Sequence, residues 1–314
     1  MPLLTIITPV YNRAEFLTMA LDSIARQEFT DFELIVVDDG STDSTPAVLA
    51  REAASDRWKG RLRVLRQANS GPGAARNLAL EHARGEYCTF LDSDDLLFPW
   101  SLSIIAEVIA SEGRPSIVIG HAAPFMTNAD FLEFTREPTD LERWPDLYSL
   151  GYVGATGTLI AQTQAIRNVG GFIKDRIVGE DADLMIRLGT LPGIVRIQAP
   201  RTYGYRLHST RMSRKAANWS AGALALIQRF EAGVFPGGER RRPELRRLVS
   251  FNAAFCTFAC VRRGDFLEGV RLYLRTFFWQ FASREYRFLA MAPFRLVLCA
   301  LGLWPLRAVD RRPF

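Results

Sequence analysis

The sequence predicts an α/β fold built on a mainly parallel sheet, and three observations predict it. Short β-branched runs without charge recur through the N-terminal third, as in strands buried on both faces. Between them lie segments with apolar residues at helical spacing, joined by short connections. Polar and acidic residues gather directly after the apolar runs, which is where ligands bind in sheets of this kind.

Leu4–Val10 is the first such run. Arg13–Gln27 follows, with Phe16, Leu17, Ala20, Leu21 and Ile24 at helical spacing. Phe32–Val37 predicts a second buried strand, closed by Asp38-Asp39-Gly40-Ser41. Thr45–Asp56 predicts a helix, Leu62–Leu65 a third strand, and Gly73–Ala83 a helix after a Gly-Pro-Gly turn. Tyr87–Leu91 predicts the fourth strand and Trp100–Glu112 the next helix. From Ser116 the alternation loosens. Ile117–Gly120 and Ala155–Ala161 predict strands, with Trp144–Gly151 an irregular loop between them. Thr163–Val169 predicts a short helix ending at Gly170-Gly171, and Gly179 to Asp183 open another, Leu184–Leu188. Ile194–Ile197 and Tyr203–Leu207 predict strands, and from Asn218 onward the pattern is helical and basic.

The charge divides the chain at about the same place. Residues 1–214 carry 22 Lys and Arg against 27 Asp and Glu, a net of −5. Residues 215–314 carry 17 against 7, a net of +10. This division predicts a catalytic α/β domain over 1–214 and a basic, aromatic helical extension over 215–314. Cys88, Cys256, Cys260 and Cys299 contain no Cys-x-x-Cys pair, which favours buried thiols over zinc. The N-terminus lacks a basic leader and runs straight into a strand, so the expected location is cytoplasmic.

Two acidic clusters carry most of the chemistry. Phe90-Leu91-Asp92-Ser93-Asp94-Asp95 ends a strand in three carboxylates within four residues. Their repulsion is tolerable where a hard divalent cation absorbs the charge, although Asp94 or Asp95 could instead cap a helix. Glu180, Asp181 and Asp183 open a helix, where the dipole favours acids, but three of them exceed what capping needs. Asp39, at another strand end, reads either as a ligand to a nucleobase or as an Asx-turn.

Taken together, several segments resemble the family 2 glycosyltransferases of the inverting, non-processive type. They are Thr8-Pro9-Val10-Tyr11-Asn12, Phe32 through Asp43, Gly71-Pro72-Gly73-Ala74-Ala75-Arg76-Asn77 and Phe90 through Asp95. The later ones are Gly170-Gly171-Phe172, Gly179 through Leu184 and Tyr205 through Ser213. Each alone is weak, and their order and spacing over residues 3–213 are specific. The resemblance implies a GT-A fold, Rossmann-like, with the helical extension added to it. It implies transfer of one sugar from a nucleoside-diphosphate sugar, a UDP-sugar by preference, to an acceptor hydroxyl in cell-surface glycan synthesis. A processive synthase of the family would carry Gln-x-x-Arg-Trp after Glu180-Asp181, and no such run follows.

The same resemblance implies roles for single residues. Asp181 would be the general base, with Glu180 orienting acceptor or sugar. Thr8, Pro9, Tyr11, Asp39, Asn69, Arg76, Asp92 and Ser93 would hold the nucleotide-sugar. Asp94 and His208 would hold Mn2+ or Mg2+ against the diphosphate. The acceptor, a glycan or a lipid-linked one, would draw on Trp144–Thr158 and on residues 172–178.

Two rivals are weaker. A sugar nucleotidylyltransferase would want a Gly-rich basic loop after the first strand, where Tyr11-Asn12-Arg13-Ala14-Glu15 stands instead. A non-catalytic nucleotide- or glycan-binding scaffold would keep the fold and lose the need for Asp181. Residues 266–306 mix arginines with aromatic and aliphatic side chains. They offer peripheral contact with the cytoplasmic face of a membrane, a homodimer face, or simple packing. No nucleic-acid module is present, so none is expected as a partner.

Overall fold

The computed structural model describes the chain except residues 152–153, 174–178, 209–215, 263, 302 and 304–314. Four parallel strands form its first half: β1 (Leu4–Val10), β2 (Phe32–Asp38), β3 (Leu62–Arg66) and β4 (Tyr87–Phe90), in the order β3-β2-β1-β4. Every residue of β1, β2 and β4 is buried. Successive side chains point to opposite faces, so Ile6, Leu34 and Val36 enter one apolar layer while Ile7, Ile35 and Val37 enter the other. The first layer is covered by α1 (Ala14–Ala25) and, after α2 (Thr45–Ala53) and α3 (Pro72–His82), by α4 (Ser101–Ser111). The second is covered by α3, through Ala75, Ala79 and Leu80. Two covered faces explain why these strands read as unbroken apolar runs.

The register aligns the strand ends. Val10 pairs with Asp38, and Asp38 with Arg66. The chain leaves β1 toward β2 and β3 on one side and reaches β4 on the other, which makes the β1/β4 boundary a topological switch point.

Beyond β4 the sheet becomes mixed. The second half contains β5 (Ile117–Ile119), β6 (Ala122–Phe125), α5 (Asn128–Leu132), β7 (Asp140–Trp144), α6 (Leu147–Leu150), β8 (Leu159–Gln162), α7 (Thr163–Asn168), α8 (Glu180–Arg187), β9 (Ile194–Ala199) and β10 (Tyr203–Arg206). The full order is β3-β2-β1-β4-β8-β5-β9-β7, with β6 and β10 forming a second, two-stranded sheet. Two expectations fail here, and three elements are not foreseen. β6, α5 and β7 do not stand out from the sequence; β7 reads Asp-Leu-Glu-Arg-Trp because it is the charged edge of the sheet. The irregular loop expected over Trp144–Gly151 holds the end of β7 and the one-turn α6, whose cap Asp146 accepts from the Ser149 amide at 2.8 Å. The strand expected from Ala155 starts only at Leu159, after a 3-10 turn over Thr156–Thr158.

Helices α9 (Ala216–Glu231), α10 (Gly238–Arg262), α11 (Phe266–Ala282) and α12 (Tyr286–Ala300) form the extension. Its main core contains Leu226, Phe230, Leu248, Val249 and Cys260, and also Tyr148 of α6 and Ala182 and Ile186 of α8. The extension is therefore packed against the back of the helix that the acidic segment opens.

Candidate functional site

Asp39 follows β2 and is 4% exposed. Its Oδ1 accepts from Gln67 Nε2 at 2.7 Å and the Ser70 amide at 2.8 Å, and its Oδ2 from the Gly71 amide at 2.8 Å. A carboxylate accepts about four bonds, so these three shape the loop entering α3 and leave limited capacity for a ligand. Gly40 (φ +81°) is required here, because a Cβ would meet the Asn69 amide at 2.9 Å. Thr8 and Pro9 lie buried in β1 beside Val36 and Val37. The Thr8 hydroxyl is fully buried and has no partner among the described residues, which is costly unless something else bonds it. Tyr11, just past the strand, is 44% exposed.

The three carboxylates after β4 lie within 4.8 Å of one another and do different things. Asp95 is fully buried and bonded at both oxygens: Oδ2 accepts from the Tyr203 hydroxyl at 2.6 Å and Oδ1 from the Arg206 amide at 2.8 Å. It ties β10 to the end of β4. Asp94 Oδ2 lies 2.8 Å from His208 Nε2, and the His208 ring packs on Phe16 at 4.6 Å. That spacing also suits two adjacent ligands of an octahedral ion with bonds of about 2.1 Å. Asp92 Oδ1 accepts from Arg76 at 2.7 Å, and its Oδ2 has no donor among the described residues. Ser93 between them is buried. A hard oxygen donor beside one imidazole fits Mg2+ or Mn2+, with Asp94 and His208 as the candidate holders.

Arg76 connects the two acidic clusters. The sequence suggests a charge reaching toward the nucleotide; the structure buries the side chain. Its Nη1 donates to Glu180 at 2.8 Å and its Nη2 to Asp92 at 2.7 Å, and Phe172 lies 5.2 Å from the guanidinium. Burial opposes its charge, but Asp92 and Glu180 outweigh that and hold it protonated. The start of α3 at Gly71 (φ +92°) and Pro72 places Arg76 one turn in.

The acids opening α8 divide the same way. Glu180 is paired with Arg76. Asp183 is fully buried between Arg187 at 2.7 Å and Arg229 at 2.5 Å, which joins α8 to α9. Asp181 accepts from the Ala182 amide at 2.8 Å and has no basic partner among the described residues. Burial first, then the neighbouring Glu180 charge, raise its carboxyl from 3.8 to about 7. A carboxylate of that basicity suits proton abstraction near neutral pH.

Several residues escape the sequence reading. Asn77 grips the backbone of Phe172 from both sides, accepting from its amide and donating to its carbonyl, each at 2.8 Å. An amide inside a helix is a weak signal of such a role. Gly73 lies against this loop, since a Cβ there would meet the Ile173 carbonyl at 2.4 Å. Arg187 donates to the Gly171 carbonyl at 2.6 Å, so the same ion-pair network holds the Gly170-Gly171 turn. A cavity of about 490 Å3 opens beside it, lined in part by Gly170, Phe172, Arg187, Arg229 and Val234. It adjoins the acidic site without including Asp181. The expected acceptor loop over 174–178, residues 152–153 and Ser209 through Ser213 lie outside the described residues.

Residues 5–157 match the model described as glycosyl transferase family 2. An uncharacterized glycosyltransferase of Haemophilus influenzae is 43% identical over 98 residues, 31% of this chain and 38% of its own length. A putative glycosyltransferase of Bacillus subtilis, EpsH, is 38% identical over 98 residues, 31% and 28% respectively. The chain thus aligns with well under half the length of these relatives. Among solved structures, Staphylococcus aureus TarS 1-349 in complex with UDP-GlcNAc has a TM-score of 0.59 at 21% identity, over 90% of this chain and 91% of that one. A mannosyltransferase of Pyrobaculum calidifontis in complex with GDP-Man and Mn2+ has a TM-score of 0.56 at 21% identity, over 96% and 87%. At that identity both likenesses speak for the fold.

Proposed function

From the premise that this chain belongs to glycosyl transferase family 2 through residues 5–157 and has the GT-A fold, we propose that it transfers one sugar with inversion from a UDP-sugar to an acceptor hydroxyl. The bond between acceptor oxygen and anomeric carbon forms as the bond from that carbon to the diphosphate oxygen breaks. Asp181 takes the acceptor proton. Glu180 is held by Arg76 so that its charge raises the basicity of Asp181. Thr8, Pro9, Tyr11, Asp39 and Asn69 form the nucleoside pocket, and Asp92 and Ser93 face the ribose and diphosphate. Asp94 and His208 would hold a divalent cation, Mn2+ or Mg2+, which would supply positive charge to the departing diphosphate.

The observation that carries this reading is the isolation of Asp181. Glu180 and Asp183 beside it are ion-paired, whereas Asp181 has no ion pair among the described residues. One structural neighbour is in complex with UDP-GlcNAc and another with GDP-Man and Mn2+, which supports a nucleoside-diphosphate sugar as donor. The acceptor in this reading is a surface glycan or its lipid-linked precursor, met at the cytoplasmic face of a membrane. Among the described residues, no helix is long and apolar enough to cross one.

The test is a panel of UDP-, dTDP- and GDP-sugars with Mn2+, Mg2+ or chelator, followed by release of the nucleoside diphosphate. Metal-dependent release from one donor, abolished by Asp94→Asn, is expected. Failure of every nucleotide to bind in the presence of metal would favour a non-catalytic scaffold.

A further inference from the structure

The outer face of the two last helices is apolar where a free protein surface is ordinarily polar. Along α11, Leu267, Arg271, Leu274, Phe278 and Phe281 recur at helical spacing, and Phe278 is 82% exposed. The opposite side, with Leu272, Tyr273, Thr276 and Gln280, is buried. α12 repeats the arrangement: Leu289, Ala292 and Leu296 face inward while Met291, Phe294 and Val297 are exposed. Phe281 and Tyr286 touch edge to face at 5.5 Å, so the two stripes meet at the joint between the helices. Contiguous apolar surface of this kind marks a contact site.

Its charge says what kind. Residues 266–301 carry five arginines against two glutamates. Arg275, Arg284 and Arg287 are exposed, and none has an acidic partner among the described residues. Pairing this face with a second copy of itself would bring those arginines together without anions to offset them. Long aromatic and aliphatic side chains rimmed by arginine suit the headgroup boundary of an anionic bilayer, which takes the rings and attracts the guanidinium groups.

We propose that the outer face of α11 and α12 docks on an anionic lipid surface. The bundle core takes Ala182 and Ile186 of α8, and Arg229 of α9 grips Asp183. The helix that carries Asp181 is thereby fixed to the docking element, which holds the site at a set height above the bilayer. Docking can be measured without donor or acceptor, so its failure and the failure of the transferase reading are separable.

The test is flotation of the full chain with vesicles of phosphatidylcholine and phosphatidylglycerol in equal parts, against vesicles of phosphatidylcholine alone. Flotation with the mixed vesicles, weakened by high salt, is expected. Phe278→Glu together with Phe294→Glu should lower partition about tenfold or more, since each removes a ring from the interface. Arg275→Glu with Arg287→Glu should abolish the preference for the anionic vesicles while leaving the apolar face intact. Leu132→Glu, an exposed apolar position on α5, should change nothing. Equal flotation with both vesicles, no flotation at all, or unchanged partition of both double variants would overturn the proposal. So would a dimer in solution dispersed by Phe278→Glu, which would assign the face to a second copy.

Discussion

The α/β half and the helical extension solve opposite problems with the same residue types. In the first, acids are drawn inside and most are paired: Asp95 with Tyr203, Asp183 with two arginines, Glu180 with Arg76. In the second, Phe278, Phe281 and Phe294 are turned outward among arginines. The first region keeps its anomalies around a crevice at the strand ends, and the second spreads them over a surface. A polar group inside and an apolar group outside are the informative exceptions, and here they fall in separate places.

The comparison is broken most severely at Asp181. Asp181→Asn should lower transfer by about a thousandfold, within the range for loss of a general base, and leave nucleotide binding unchanged. Its neighbour should behave differently. Arg76→Met leaves Glu180 buried and Asp92 half-buried without their cation, and should cost about 3–5 kcal/mol in urea unfolding, with activity lost alongside. Asp183→Asn should cost less, about 2–3 kcal/mol, since Arg229 can turn toward solvent; limited proteolysis between α8 and α9 would report the loosened contact.

The pH dependence sharpens the same contrast. With the carboxyl of Asp181 raised to about 7, the rate should rise about tenfold per pH unit below that value and level above it. The stability runs the other way. A carboxyl whose folded value is raised holds its proton in the native state, so stability falls as pH climbs from about 4 toward 7. Asp181→Asn should flatten both profiles. The smallest effect is expected in the extension, where Phe278→Glu should shift stability by less than about 0.5 kcal/mol because the ring contacts solvent.

The sequence made the first four strands legible because both of their faces are covered, which writes an unbroken apolar run. It left β7 hidden because an edge strand carries Asp140, Glu142 and Arg143 to discourage further pairing. The strand-end position of the acidic residues was also legible, but their division of labour was not. Asp92, Asp94 and Asp95 look alike in sequence, and only the fold sets Asp95 against Tyr203 and Arg206, more than 100 residues away. Arg76 illustrates the same limit. Its place at the start of the helix after the Gly-Pro-Gly turn was readable, whereas its burial depends on Glu180 at a separation of 104 residues. The extension was readable as helical, basic and aromatic. Its attachment to α8 through Arg229 had no local signal.

The account's central claim is that Asp181 moves the proton while its acidic neighbours hold structure. The most direct test is to measure UDP binding with Mn2+ by calorimetry and sugar transfer from the preferred donor, side by side, in the wild type and Asp181→Asn. Unchanged binding with transfer reduced about a thousandfold is the predicted result. Transfer within tenfold of wild type would contradict it and return the role of base to another residue.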